Sequence, residues 1–361
     1  MRFVDLVHRW TGGLIGLLLA MLGLTGTILI HKETWLRWSL PGAADPQLQD
    51  AATLAAAAER LLAGPDRPSS ILFATEGFGL HRLSYGGDAG GYADQAGQVV
   101  TRWSSIWERP EVWLFDIHHH LLMGETGDTI AGILGLTGLG FVVTGAILWW
   151  RTRKTFEFRL WPKRASRPAI VRHHRDLGIV AAPLLVLSML TGTMMTLRPV
   201  ADFVLAPFSS AAEMKQAATA PAVKGGAMAE IDWAALIGAV RSRYPDAEIR
   251  TIALPVKTGG PITIRARQQA EWLPNGRTTF WFDPADGRLI EHRDAFSLPR
   301  GSQIFNLAYP LHAAKVGGLA YRLVMTLSGL SLLLLGSLTV WTFWADRRAP
   351  KARPVRNPRP A

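Results

Sequence analysis

The stretch HRWTGGLIGLLLAMLGLTGTILIHK, residues 8–32, decides the architecture. Between Arg9 and Lys32 it carries no formal charge, and residues 11–30 alone are long enough to cross about 30 Å of hydrocarbon at 1.5 Å per residue. Residues 129–150, 177–197 and 323–344 have the same long, apolar, charge-poor character. The first run leads into His31-Lys32-Glu33 without a small-residue cleavage site, so it reads as a retained anchor rather than a signal peptide. Together the four runs predict a membrane α-helical protein with four transmembrane helices.

Charge sets the expected topology. The net charge is +11, but the basic residues are not spread as a nucleic-acid surface would need. Between Arg151 and Arg175 there are nine Lys or Arg against one acid, and after Trp344 six against one. Both blocks flank spans, so the positive-inside rule places them, and both termini, in the cytoplasm of a bacterial inner-membrane protein with no nucleic-acid partner. The expected organisation is span one over residues 1–31, an extracytoplasmic module over 32–117, span two over 118–150, and a basic cytoplasmic loop over 151–173. Span three then covers 174–197, a second module 198–311, span four 312–345 and a basic tail 346–361. Cysteine is absent, which excludes disulfides, thiolate metal sites and thioether-linked haem.

The sequence also repeats. His8-Arg9-Trp10-Thr11-Gly12, followed by Thr25-Gly26, matches His174-Arg175-Asp176-Leu177-Gly178, followed by Thr191-Gly192. Gly127, Gly138 and Gly145 match Gly318, Gly329 and Gly336 at one constant offset, with histidines at 118–120 and at 312 just before each series. The soluble segments each show a helical pattern (residues 48–62 and 231–244), then short alternating strands and a turn at Asp94–Gly97 or Asp283–Gly287. Two tandem copies of helix, α+β module, helix are therefore expected. An even number of spans separates them, so they insert in the same orientation about an axis along the membrane normal.

Repetition singles out the histidines. An isolated histidine at a span edge is an ordinary interfacial residue, like the flanking Trp10, Trp149 and Trp344. Here the repeat recreates one at matched depth, and neutral imidazole is a strong axial ligand for haem iron. His8 with His174 forms the expected cytoplasmic-side pair; His312 with one of His118, His119 and His120 forms the extracytoplasmic one. Gly12 and Gly16 follow His8 at i+4 and i+8, and Gly178 follows His174 at i+4, leaving bare backbone for a flat macrocycle or for close helix packing. Arg9 and Arg175 are candidate partners for haem propionates. His31 has no counterpart on helix three and either supplements the outer site or is interfacial. His81 and His292, in the soluble segments, read as surface residues. His8 and His31 are about 34 Å apart at helical rise, so two b-type haems per chain are expected rather than one.

These residues resemble the PepSY-associated transmembrane family, which includes bacterial ferrisiderophore reductases and other iron-uptake factors. The resemblance covers nearly the whole chain. It is carried by HRWTG from His8, HHHLLMGETGD from His118, HHRDLGI from His173, PLHAAKVGG around His312, and FDPADGRL from Phe282 in the second soluble segment. It implies two extracytoplasmic PepSY-like modules and histidine ligands at His8, His118, His174 and His312. For the triplet it favours His118, whereas the repeat alignment favours His120. It further implies reduction of ferric iron in a periplasmic chelate by electrons passed through haem; a quinol and a cytoplasmic reductant are both compatible, as donors, with the basic inner face. A non-redox PepSY-type regulator and an iron-complex transporter are the competing classes. The first would carry no chromophore, and the second would need polar residues deep in the spans, where Thr25 and Thr191 are the main exceptions.

Overall fold

The computed structural model describes residues 2–223, 230–255 and 259–348. Of the expected basic tail, residues 349–361 lie outside the described residues. Among those described, four helices are long and apolar enough to cross a membrane: α1 (Arg2–Ile30), α5 (Gly124–Thr152), α6 (Arg167–Thr196) and α12 (Gly318–Arg348). The protein is a membrane protein. Between α1 and α5 run α2 (Lys32–Ser39), α3 (Ala51–Leu62), β1 (Ser70–Leu72), β2 (His81–Gly86), β3 (Ala89–Ala93), β4 (Val99–Trp103) and α4 (Pro110–His120). Between α6 and α12 run α7 (Arg198–Leu205), α8 (Ala211–Ala218), α9 (Trp233–Arg243), β5 (Glu248–Ala253), β6 (Ile262–Arg267), β7 (Thr278–Phe282), β8 (Leu289–Arg293), α10 (Arg300–Phe305) and α11 (Ala308–His312).

The chain divides into two compact units. Among the described residues the first comprises 2–27, 133–190 and 326–348, which are parts of the four long helices and the connection between α5 and α6. Apolar side chains gain nothing from association in lipid, so close backbone approach at small residues holds such helices together. A methyl group on Gly16 would lie 3.0 Å from the Gly336 carbonyl oxygen, and one on Gly23 2.6 Å from that of Gly329. Helices α1 and α12 therefore touch backbone to backbone, and any side chain at Gly23 forces them apart. Leu177, Ala181, Leu185 and Met189 of α6 pack with Leu335 of α12. The Met189 sulfur fills the place beside α5 that Gly138 leaves bare.

The second unit comprises residues 28–132 and 191–325. Its eight strands form one antiparallel sheet in the order β4-β3-β2-β1-β5-β6-β7-β8. The two soluble segments are thus joined into a single sheet by the pairing of β1 with β5, where Ile71 faces Ile252. Alternation dictates which face is covered. Leu83, Ile71, Ile252, Ile264 and Phe280 form one cross-strand row beneath α3 and α9, whose Leu54, Leu61, Leu236 and Ile237 close the core. Both covering helices are capped by an aspartate: Asp50 accepts from the Thr53 amide at 2.8 Å, and Asp232 from the Ala235 amide at 2.9 Å. The two expected turns are present. Asp94 and Asp283 each accept from the amide two residues on, and Gly97 and Gly287 take φ of 78° and 70°.

Candidate functional site

His8 and His174, on α1 and α6 of the first unit, face each other with ring centroids 6.2 Å apart at an interplanar angle of 82°. Two metal–nitrogen bonds of about 2 Å and two imidazole half-widths of about 1 Å also add to about 6 Å, so the gap suits one metal centre held axially from both sides. Both rings border a cavity of about 900 Å³, as do Gly12, Gly145, Gly178 and Arg9. A methyl group on Gly178 would meet only Leu335 at 3.9 Å, so this glycine leaves open space beside the ring. Gly12 differs, since a methyl group there would lie 3.1 Å from the Thr339 methyl carbon.

The neighbours of each of these histidines favour one tautomer. His8 Nδ1 is 2.8 Å from the hydroxyl of Thr144 on α5, and that hydroxyl donates its single proton to the Gly140 carbonyl at 2.7 Å. His174 Nδ1 is 3.1 Å from the hydroxyl of Thr339 on α12, which donates to the Leu335 carbonyl at 2.6 Å. Each hydroxyl, with its own proton turned to a helix carbonyl, is placed to accept from an Nδ1–H of its histidine. That tautomer would leave Nε2 free for a metal, the orientation by a partner on the other nitrogen that metal-ligating histidines generally have. Two imidazoles alone would leave most of a metal's coordination positions open, and a planar tetrapyrrole would supply them. The donor set, the gap and the cavity fit haem.

In the second unit His118 of α4 and His312 of α11 stand with ring centroids 6.0 Å apart and planes at 49°. The Thr191 hydroxyl lies 3.2 Å from His312 Nδ1. A methyl group on the next residue, Gly192, would come within 3.0 Å of His312 Cε1, so glycine is required there by the ring. Of the histidine triplet, His118 is the one brought to His312. His119 stacks on Phe115 at 5.3 Å and lies 3.4 Å from Asp128; His120 Nδ1 is 2.8 Å from Asp116. The residue that the family resemblance favours, His118, is thus the one beside His312, and His120, favoured by the glycine alignment, is turned to Asp116. Helices α5 and α12 begin at Gly124 and Gly318, each six residues after its histidine, and the glycine series inside the spans is out of register with those starts. His31 occupies the joint between α1 and α2.

Other candidates serve elsewhere. All five guanidinium donors of Arg175 are engaged, by both oxygens of Asp176, by the carbonyls of Thr152 and Thr155, and by the Thr155 hydroxyl. The propionate role expected of it gives way to holding the end of α5. Arg9 remains half-exposed at the cavity, 3.6 Å from Asp5. His173 is buried with Nε2 3.1 Å from the Leu160 carbonyl, pinning the loop between α5 and α6. His81, read as a surface residue, is 1% exposed; its Nδ1 accepts from the Ala74 amide at 2.9 Å, and burial pushes its pKa down to about 4. Sequence reasoning missed Thr144 and Thr339. Their signal was a hydroxyl in an otherwise apolar span, which also describes threonines that merely bond their own helix.

Comparison with known families matches the PepSY-associated TM region over residues 6–347. No curated protein matches the chain.

Proposed function

Because the chain belongs to the PepSY-associated transmembrane family, we propose that it is a haem-containing reductase of the bacterial inner membrane. In this reading it passes electrons across the bilayer to ferric iron in an extracytoplasmic chelate. The observation that carries the reading is the first pair: two histidines 6.2 Å apart, each with its Nδ1 beside a threonine hydroxyl, next to a cavity of about 900 Å³. His8 and His174 would hold one haem b and His118 and His312 the second, supplying reversible one-electron transfer without proton or ion movement.

The protein's own work is placement. Thr144 and Thr339 fix ring orientation and raise ligand basicity. The apolar helices keep water from the inner site, and Arg9 offers a cation at its mouth. Thr191 and Gly192 set the ring of His312. The basic excess in residues 151–175 is the support for this reading's cytoplasmic termini, with residues 32–117 and 198–311 on the opposite side. An external chelate would meet that side, and a quinol or cytoplasmic reductant the other. The test is the absorption spectrum of protein purified from haem-replete cells, oxidised and then reduced, with haem quantified per chain. Two low-spin b haems are expected, and a colourless folded protein would overturn the reading in favour of a non-redox regulator.

A further inference from the structure

The sheet has a second face, opposite α3 and α9, and its two halves differ there. Over β2–β4 it is closed by apolar groups: Leu36 of α2 and Leu40 just after it pack with Tyr92 and Trp103. The cross-strand row that starts at Tyr92 and Arg82 continues through Leu72 and Thr251 to Arg265 on β6 and Thr279 on β7. Arg265 is partly buried and has no hydrogen-bond or ion-pair partner among the described residues. Arg277, at the foot of β7, bonds the Asn306 side chain at 3.2 Å; burial first, then the charge of Arg265, lowers its pKa to about 10. Arg250, the bulge residue of β5, is 1% exposed and donates to the Pro274 and Ala74 carbonyls. None of the three has a carboxylate within ion-pair distance among the described residues, although Arg267 and Arg293 beside them do. The nearest buried acid, Glu271, has its carboxylate held by the amides of Gln268 and Arg277.

Guanidinium stays charged under such burial, and a desolvated charge without a counter-ion is costly. Its planar fork matches oxygen anions. We propose that Arg265 and Arg277 form an anion-binding site for a soluble, carboxylate-rich metal chelate. The role rests on the reductase reading, because it names the charge class of the substrate. A lipid phosphate offers the same oxygen chemistry, so the test separates the two.

Full-length protein in discs of zwitterionic lipid is titrated with gallium(III) citrate, which mimics the ferric chelate but is not reducible, and with a neutral gallium trihydroxamate. The wild type should bind the citrate complex more tightly. Arg265→Gln with Arg277→Gln should weaken that binding by about tenfold or more while leaving the neutral complex unchanged. The Arg265→Lys with Arg277→Lys variant, which keeps charge and loses the fork, should fall between them and guards against misfolding. Citrate binding that is absent in the wild type, or equal in the Gln variant, overturns the site. So does loss of co-purifying anionic lipid as the Gln variant's only change. Gallium binding by a colourless protein would sink the reductase reading and leave the site standing.

Discussion

His8 and His174 project from inside helices of 29 and 30 residues, whereas His118 and His312 sit on helices of 11 and five residues that stop short of the spans. The links after the second pair run through left-handed backbone. Leu121, Leu122 and Gly124 have φ of 50°, 60° and 57° on one side, and Ala314, Gly317 and Gly318 have 50°, 68° and 59° on the other. The first pair inherits its position from continuous helices and has threonines of neighbouring ones beside its rings. The second pair is aimed by turns, three of whose residues are not glycine and carry a conformational cost of about 1–2 kcal/mol each. A membrane helix thus supplies stiffness for nothing at the inner site, while the outer site must store strain to hold its rings.

The largest test of that contrast is removal of ligands. His8→Ala with His174→Ala should leave one haem per chain and an intact outer signal, and His312→Ala should do the reverse; two haems surviving in either variant break the pairing. Next come the orienting hydroxyls. Thr144→Val with Thr339→Val should weaken inner-haem retention by about tenfold to a hundredfold, measured by haem transfer to an apo-acceptor. Equal retention would reduce these threonines to packing.

His81 is a control outside both pairs. Its folded pKa lies near 4, below the usual 6.5, so between those values the unfolded chain takes up a proton that the folded one refuses. Stability should therefore be full above pH 6.5 and fall as pH drops towards 4, by at most about 3 kcal/mol. Denaturation midpoints of wild type and His81→Asn at pH 7 and pH 4.5 should diverge; parallel curves would mean the histidine titrates freely. The smallest effect belongs to the turns. Ala314→Gly should relieve up to about 1 kcal/mol of left-handed strain, seen as a modest rise in the temperature at which the outer haem is lost, with the inner one unmoved. A fall would show that the turn is not strained.

The spans were legible because residues 11–30 and their three counterparts leave no alternative in water. The inner pair was legible because one motif, HRWTG against HRDLG, carries both ligands. The outer pair was read only to within three residues, since helix starts depend on local turns such as Leu121–Gly124 that hydropathy does not register. Arg175 was read as a propionate partner from its place after His174, because side-chain pairing with the next residue, Asp176, leaves no mark on hydropathy or repeat spacing. The seam between the soluble segments had no signal at all: β1 is three residues long, and its pairing with β5 is a matter of edges meeting in space.

That seam bears on how the protein is made. During synthesis β1 emerges with one edge paired to β2 and the other bare, and the residue that will cover Ile71 is Ile252, beyond two further spans. Until the second segment has been made, half a sheet and the apolar side of α3 stay open to unintended partners. Quality control therefore has a defined window of vulnerability here, which closes only when the last third of the chain arrives.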